Sequence, residues 1–351
     1  MASPNLLGPP QNSSTIKELS SSGALSSLPS LYASKAHELE SVVEDGQIPV
    51  VDFSLLTAGS PEKRSQMIRE LGKACEEWGF FMLVNHGVPE KFREGMMDAL
   101  KGFFDLTEEE KKEYADTHVL NPIRYGTSFN TAKEDVRYWR DYLKVTTHPE
   151  FVSPTKPDGF SETLEEFCKR TRGIAWELLK GIWESLGLEE NSIKEALGYD
   201  SSWQIFVGNI YPPCPQPDLA VGLPPHSDHG LLSILYQDGT VDGLEVKHDG
   251  KWVRVMPLPN SFLINTGDHT EIVTNGKYKS VLHRAVVNGT NTRMSIVAAV
   301  GPSMDAVVVP APALVSSESP ATFRGISFRE YAERQQGNKL KDKSVLDFLR
   351  L

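Results

Sequence analysis

The stretch from Trp203 to about Val309 constrains the fold more than any other part of the chain. It consists of short strand-like segments separated by turns that contain Gly, Asn, Asp and Pro. The segments cover residues 203–211, 231–236, 243–246, 252–255, 261–265, 281–287 and 293–300. Many short strands at this spacing are typical of antiparallel barrels and jelly rolls, so the pattern predicts one of these two folds here.

Helical patterns precede this β-rich stretch. Ser60 and Pro61 provide a cap and a first-turn proline for one helix, and Pro89 begins another. The longest apolar stripe repeats every three or four residues from about 161 to 186, which predicts a helix laid along a sheet. Two short strands are also predicted, at residues 48–53, where Pro49 favours a sheet edge, and at residues 80–84.

These patterns divide the chain into four parts. Residues 1–45 are rich in Ser, Asn and Pro and predict a flexible or surface-draped arm. Residues 46–160 form a mixed helical region, and residues 161–310 contain the long helix and the β-rich stretch. Residues 311–351 end in a charged helical pattern, which we expect to form a C-terminal helix.

Charge and composition exclude several classes of partner. The chain has 47 acidic and 36 basic residues, a net charge of -11, and no cluster of basic residues alternating with aromatic ones, so we expect neither nucleic acid nor a membrane as a partner. The acidic surface weakly favours a neutral or cationic small molecule. The three cysteines lack CxxC spacing and the first residues lack a secretory pattern, which predicts a cytoplasmic protein, and nothing demands more than a monomer.

Three side chains have the composition of a mononuclear iron site. His226 and Asp228 are two residues apart and would lie on the same face of a strand, and His283 would supply a third ligand from a distant strand. Two histidines and one carboxylate leave three positions of an octahedron open, as in non-haem Fe(II) enzymes that bind both a co-substrate and dioxygen. Alternation places His229 on the opposite face, and His269 is a candidate for orienting a ligand from behind.

A second pair of residues at spacing two predicts a carboxylate-binding site. Arg293 and Ser295 would present a guanidinium and a hydroxyl on one inward face, which together can hold a carboxylate. Asn209 and Tyr211 also share a strand face, and the Tyr211 phenol can donate a hydrogen bond to the same carboxylate. Standing alone, the pair would more often be explained by an arginine bound to a surface acid.

Taken together, these residues resemble the plant 2-oxoglutarate/Fe(II)-dependent dioxygenases, and most of all the branch that hydroxylates specialised metabolites. The resemblance rests on the site residues above and on a set of motifs spread over nearly the whole chain. These are Ile48-Pro49-Val50-Val51-Asp52, Trp78-Gly79-Phe80-Phe81, Val84-Asn85-His86-Gly87-Val88-Pro89, Trp139-Arg140-Asp141-Tyr142-Leu143, Tyr211-Pro212-Pro213-Cys214-Pro215, His226-Ser227-Asp228-His229-Gly230, His283-Arg284 and Arg293-Met294-Ser295.

The resemblance implies an α+β protein with a double-stranded β-helix (jelly roll) core, flanked by an N-terminal helical region and a C-terminal helix. Residues 46–160 would be the N-terminal dioxygenase region, 161–310 the catalytic domain and 311–351 a lid. Iron would bind at one mouth of the barrel, with 2-oxoglutarate as co-substrate and ascorbate in support. Decarboxylation of 2-oxoglutarate with dioxygen would yield succinate and CO2 and oxidise a substrate C–H bond by hydroxylation or desaturation.

The substrate pocket is predicted to be roomy and mostly apolar, because the inward positions after Ser295 carry small side chains. A terpenoid, steroid or alkaloid would fit such a pocket. Flavonoid, phenylpropanoid or hormone oxidation, a related oxidase without a 2-oxoacid, and a metabolite-binding protein without turnover remain alternatives. The predicted substrate-binding residues are Phe129, Tyr142, Val207, Ala299, Gly301, Phe328 and Tyr331.

Overall fold

The structure is a computed structural model that describes residues 15–21, 25–34, 42–43, 47–115, 121–129, 131, 133–237, 241–337 and 344–351. Its α-helices are α1 Ile16–Ser21, α2 Phe53–Ala58, α3 Pro61–Glu77, α4 Glu90–Asp105, α5 Glu108–Lys111, α6 Phe160–Ser185, α7 Glu190–Leu197, α8 Asp268–Val273, α9 Phe328–Gly337 and α10 Ser344–Leu349. Its strands are β1 Val42–Val43, β2 Val50–Asp52, β3 Phe80–Val84, β4 Ile123–Thr127, β5 Asp141–His148, β6 Gln204–Tyr211, β7 Leu223–His226, β8 Leu232–Gln237, β9 Leu244–His248, β10 Lys251–Val255, β11 Phe262–Thr266, β12 His283–Ala285, β13 Arg293–Val300, β14 Val307–Val308 and β15 Ile326–Ser327.

Two sheets form the β core. The larger has eight strands in the order β2-β3-β11-β8-β13-β6-β5-β4, and the smaller has five in the order β1-β10-β9-β12-β7. Apolar residues of β3, β8 and β11 pack against residues of β9 and β10 and join the two sheets. This arrangement confirms the prediction of a jelly roll with flanking helices.

The other face of the larger sheet is covered by helices. The long helix predicted for residues 161–186 is present as α6, and its buried stripe lies in the same core as α3, α4, β6 and β13. Phe167 of α6 meets Phe206 of β6 edge to face, with ring centroids 6.4 Å apart. Because one side of the sheet is occupied by this core, the open end of the sandwich on its other side is left for a ligand. No helix among the described residues is both long and apolar enough to span a membrane.

The predicted features of the N-terminal region are confirmed. Ser60 caps α3 by accepting the backbone N–H of Lys63, with Pro61 in the first turn. Strand β2 pairs only with β3 and lies at the edge of the larger sheet, where the side chain of Val50 is 52% exposed. The sequence predicted the edge from Pro49, which precedes the strand.

Three strands near the open end were not predicted: β4, β5 and β7. Strand β5 pairs with both β4 and β6, so it lies inside the sheet although it carries charged residues at 141, 144 and 148. Short β7 contains two prolines at 224 and 225 and therefore lacks the composition of a strand. These strands line a cavity, and the polar residues that face it interrupt the apolar pattern by which a strand is usually predicted.

The described residues of the predicted flexible or surface-draped arm pack against the rest of the chain. Ile16 is fully buried, and Leu28 and Tyr32 pack with it against Trp139. The backbone N–H groups of α1 are capped from another element, because Asp141 of β5 accepts hydrogen bonds from residues 16 and 17 at 3.0 and 2.9 Å. Residues 1–14, 22–24, 35–41 and 44–45 of the predicted arm lie outside the described residues.

The Asp141 carboxylate is fully buried, and burial raises its pKa from 3.8 to about 6, although hydrogen bonds from Thr127 and the backbone of α1 oppose the shift. Between these pH values the folded protein keeps a proton that the unfolded chain releases. This contribution to stability is therefore complete below about pH 4 and lost as the pH rises to 6. Relative to Asp141→Asn, the wild-type free energy of unfolding should fall by about 3 kcal/mol over this range in urea titrations. Parallel pH profiles for the two proteins would contradict the assignment.

Candidate functional site

His226, Asp228 and His283 meet at the open end of the sandwich. Strands β7 and β12 pair so that His226 lies opposite His283, and their ring centroids are 4.2 Å apart. Asp228 follows two residues after the end of β7, and one oxygen or nitrogen atom from each of the three side chains lies within 4.8 Å of the others. The predicted cluster is therefore assembled by strand pairing across the smaller sheet and by the loop after β7.

The distances in this cluster fit a single metal ion. The Asp228 Oδ1 atom is 3.9 Å from His226 Nε2 and 3.7 Å from His283 Nε2. Ligand atoms that share an ion at about 2.0–2.2 Å can be no more than about 4.4 Å apart, so both separations are compatible with shared coordination. Two imidazoles and one carboxylate on one side of an ion match the donor set of non-haem iron enzymes.

Hydrogen bonds hold the three donors in the form that a metal requires. His226 Nδ1 donates to the carbonyl of Pro224 at 2.8 Å, and His283 Nδ1 donates to the carbonyl of Val281 at 3.2 Å, so each Nε2 keeps its lone pair. Burial, reinforced by the nearby His283, lowers the pKa of His226 to about 3. His226 is therefore neutral at physiological pH and able to coordinate without losing a proton.

The second oxygen of Asp228 is fixed from behind. Ser233 Oγ donates to Oδ2 at 2.5 Å and Asn265 Nδ2 donates to it at 2.9 Å, which turns Oδ1 toward the histidines. Burial alone would raise the pKa of Asp228, but the neighbouring histidines and these two hydrogen bonds lower it overall. The carboxylate therefore stays ionised. Sequence reasoning missed Ser233 and Asn265, although both lie on predicted strands.

The histidines next to this cluster have other positions. His229 lies outside the cluster of possible ligands, but it lines the cavity, because β7 ends at His226 and strict alternation no longer applies. His269 Nδ1 donates to the carbonyl of His229, and its ring contacts Phe328 with centroids 4.9 Å apart. His269 therefore supports the backbone that follows Asp228.

A second polar cluster lies on β6 and β13. The strands pair so that Arg293 is opposite Tyr211 and Ser295 is opposite Asn209, and all four side chains are at most 5% exposed. Arg293 Nη2 donates to Gln237 Oε1 at 2.9 Å, and the guanidinium lies 5.3 Å from the centre of the Tyr211 ring. The predicted carboxylate-binding residues are thus brought together on one face of the larger sheet, with Gln237 as an additional member.

The geometry of this cluster fits an anionic ligand. Asn209 Nδ2 donates to Ser295 Oγ at 3.4 Å, which leaves the Ser295 hydroxyl hydrogen for another acceptor. Asn209 Oδ1 is buried and has no hydrogen-bond partner among the described residues. A ligand carboxylate would accept the hydrogen of the Ser295 hydroxyl, and a bridging water would donate to Asn209 Oδ1. The cluster could therefore hold the far carboxylate of 2-oxoglutarate.

Both clusters open into one cavity of about 150 Å³ between the sheets. Four of the predicted substrate-binding residues lie in its wall, together with apolar side chains such as Leu235 and Val297. These four are Phe129, Tyr142, Val207 and Ala299. The structure thus places the metal cluster, the carboxylate cluster and these four residues around one space.

Three other predicted pocket residues are not in the wall of this cavity. A Cβ added to Gly301 would lie 2.5 Å from the Phe328 ring, so this position is filled by packing. Phe328 is fully buried, and Tyr331 is 1% exposed and donates a hydrogen bond to Asp268 at 2.6 Å. The helical pattern of the C-terminal segment is confirmed by α9 and α10, but its aromatics are core residues, and Gln335 is the residue of α9 that reaches the cavity.

Tyr331→Phe tests this correction. The substitution removes a buried hydrogen bond to Asp268 and leaves a carboxylate without its donor, so we expect a loss of about 1–3 kcal/mol in the free energy of unfolding. The KM for any substrate should change less than about twofold, because Tyr331 does not contact the cavity. Urea unfolding and steady-state kinetics on the same preparations check both values. A large rise in KM without loss of stability would restore the lid prediction for this residue.

Three basic residues in the cavity wall were not predicted from the sequence: Arg124, Arg140 and Lys144. Arg140 and Lys144 lie two residues before and after Tyr142 of β5, so the alternation that identified the Arg293 pair would also have found them. They were overlooked because β5 was not recognised as a strand.

Comparisons with known proteins agree with this geometry. Residues 202–302 match the family model of the 2OG-Fe(II) oxygenase superfamily, and residues 48–165 match that of the N-terminal region of the non-haem dioxygenases in morphine synthesis. The chain is 52% identical to 2-oxoglutarate-dependent dioxygenase 19 of Oryza sativa subsp. japonica over 87% of this chain and 90% of that protein. It is 38% identical to flavanone 3-dioxygenase 2 of the same species, with 95% and 97% coverage.

A solved structure shows the same fold. The crystal structure of JOX2 in complex with 2OG, Fe and JA superposes with a TM-score of 0.88 at 29% identity, and the match covers 97% of this chain and 98% of that one.

Proposed function

This chain belongs to the plant 2-oxoglutarate- and Fe(II)-dependent dioxygenases, and we propose that it hydroxylates or desaturates a small, bulky plant metabolite. One observation carries the proposal: the His–Asp–His cluster and the Arg293 cluster open into the same cavity. A metal site and a carboxylate site that share one cavity allow a 2-oxoacid to bridge them and a substrate to lie beside both.

We propose specific roles for the site residues. His226, Asp228 and His283 would hold Fe(II), with Oδ1 as the carboxylate donor. Arg293 and Ser295, aided by Tyr211 and Asn209, would bind the far carboxylate of 2-oxoglutarate. These four residues lie on β6 and β13 of the larger sheet, whereas His226 and His283 lie on β7 and β12 of the smaller sheet.

Bound iron, 2-oxoglutarate and dioxygen would together supply the oxidant that removes a substrate hydrogen, with succinate and CO2 as products. The residues of the chain orient both groups and exclude water. Burial keeps His226 neutral, and Ser233 and Asn265 keep Asp228 ionised and aimed at the metal position. Phe129, Tyr142, Val207 and Ala299 would position the reacting C–H bond, so their side chains set which carbon is oxidised.

The wall of the cavity narrows the predicted substrate classes. The side chains of Val207, Val297 and Ala299 in the wall are small and leave space for a terpenoid or steroid skeleton. A protonated alkaloid is disfavoured, because Arg140 and Lys144 line the same space. Flavonoid oxidation is the second candidate, supported by the 38% identity to flavanone 3-dioxygenase 2 and by the aromatic rings of Phe129 and Tyr142 in the wall. The cytoplasmic location and the monomeric state stay predictions.

The proposal is tested by substrate-dependent succinate formation. Purified protein with Fe(II), ascorbate and 2-oxoglutarate would be assayed against terpenoids, steroids and flavonoids, with mass spectrometry of both succinate and the oxidised product. We expect equal amounts of the two products with at least one compound and none with His283→Ala. Product formation without succinate would indicate an oxidase that needs no 2-oxoacid. Tight binding of a metabolite without any product would favour the non-catalytic binding protein.

A further inference from the structure

Basic side chains line part of the cavity, on β4, on β5 and just before β5. Arg124 of β4 pairs with Lys144 of β5, and Lys144 pairs with Val207 of β6. Arg140 precedes β5, and its guanidinium lies 4.9 Å from the centre of the Tyr142 ring. Arg124 and Arg140 are each 6% exposed, and all three line the cavity. We call these three residues the basic end of the cavity.

Lys144 is separate from the 2-oxoglutarate cluster. The row of paired residues that contains Lys144 and Val207 continues to Val297, which is four residues beyond Arg293 on β13. At about 3.3 Å per residue and about 4.8 Å per strand, the backbone at Lys144 therefore lies about 13 Å along the sheet and about 10 Å across it from Arg293. Arg140 lies nearer to Arg293, because it precedes Asp141, which pairs with Ile210 beside Tyr211.

Two other charged residues in the wall have partners of their own. Arg284 donates to Glu245 at 2.7 Å, and Asp228 is occupied by the two histidines and its own hydrogen bonds. Within the described part of the chain, the buried Nε atom of Arg140 has no hydrogen-bond partner. The whole chain is acidic, with a net charge of -11, so this concentration of positive charge does not follow from its composition.

Positive charges in one enclosed space are costly unless an anion accompanies them. Burial and the charges of Arg124 and Arg140 lower the pKa of Lys144 well below its usual range, and Asp228 opposes the shift only in part. A ligand carboxylate would remove this repulsion and accept the unused hydrogen bonds. A neutral ligand of the same shape would leave the cost in place, and a cationic ligand would increase it.

We propose that the organic substrate carries a carboxylate, which Lys144 and Arg140 bind at the basic end while its carbon skeleton extends along the apolar wall toward the metal cluster. The inference rests on the proposed function and narrows it to acidic metabolites. It also reverses the expectation, drawn from the net charge, of a neutral or cationic substrate. The surface charge of the chain and the charge of its cavity have opposite signs, and the cavity is what the substrate contacts.

Matched acids and amides provide the test. Calorimetric titration would use full-length protein with Mn(II) in place of Fe(II) and saturating 2-oxoglutarate, so that Arg293 is occupied and no turnover occurs. The probes are abietic acid, 2-naphthoic acid and 4-phenylbenzoic acid, each beside its primary amide, which has the same shape without the charge. We expect at least one acid to bind at least about tenfold more tightly than its amide.

Two variants separate charge from shape. In Lys144→Met and in Arg140→Met the ratio of acid to amide affinity should fall toward one, and Lys144→Arg should restore it, while 2-oxoglutarate affinity stays the same. Amides that bind as tightly as every acid, or acids that compete with 2-oxoglutarate, would overturn the carboxylate assignment. Failure of the wild-type protein to bind 2-oxoglutarate at all would overturn the proposed function instead, so the two failures are distinguishable.

Discussion

Asp228→Ala should reduce Fe(II) affinity at least about 100-fold and lower 2-oxoglutarate turnover by about three orders of magnitude. The substitution removes one of three donors and leaves two neutral imidazoles, with no negative charge to balance the ion. In the wild type, Ser233 and Asn265 donate hydrogen bonds to Asp228 Oδ2 at 2.5 and 2.9 Å. The substitution leaves both donors without this acceptor. Calorimetric metal titration and succinate formation measure the two losses separately.

Ser233→Ala is the matched control for this variant. It keeps the Asp228 carboxylate but removes one of the two groups that orient it, and a loss of about 10- to 100-fold in metal affinity or activity is expected. The loss should be smaller than that of Asp228→Ala in both measurements. Equal affinities of wild type and Asp228→Ala for Fe(II) would mean that the ion binds elsewhere, and the proposed metal cluster would then be wrong.

The parts of the fold that follow a simple periodicity could be predicted from the sequence. The stripe from 161 to 186 becomes α6, and all seven predicted strand segments in the second half coincide with strands, because one face of each packs on an apolar core. Strands β4 and β5 were missed for the opposite reason. Lys144 faces the cavity, so polar residues occupy positions where a core strand would carry apolar ones. Polar residues needed for function therefore weaken the apolar alternation by which the strand would be predicted.

The site could be predicted where chemistry demands specific residue types. His226, Asp228 and His283 form a recognisable donor set, and strand pairing then brings them together. The packing surface of the C-terminal helix could not be predicted. An amphipathic pattern shows which residues are buried but not against which part of the protein. Phe328 and Tyr331 face the core beside His269, and only the tertiary structure reveals this.

Arg293→Leu should raise the KM for 2-oxoglutarate by about 30-fold or more, since removing one partner of a buried charged pair costs about 2–5 kcal/mol. Arg293 is 2% exposed, so water cannot replace the lost guanidinium. The KM for the organic substrate should change far less, because its carboxylate is assigned to the basic end of the cavity. Steady-state kinetics with each substrate varied in turn provides the comparison. Arg284→Lys is the matched control, because Arg284 lines the same cavity but is paired with Glu245 at 2.7 Å.

A 2-oxoacid without the far carboxylate makes this prediction specific to charge recognition. Wild type should prefer 2-oxoglutarate strongly over 2-oxohexanoate, which keeps the metal-chelating end but ends in a methyl group. In Arg293→Leu the preference should nearly disappear, because the apolar side chain no longer distinguishes the two tails. A variant that loses 2-oxoglutarate affinity but keeps the full preference would show that Arg293 only supports the fold of β13. The Tyr211 and Ser295 hydroxyls would then be left as the groups that recognise the carboxylate.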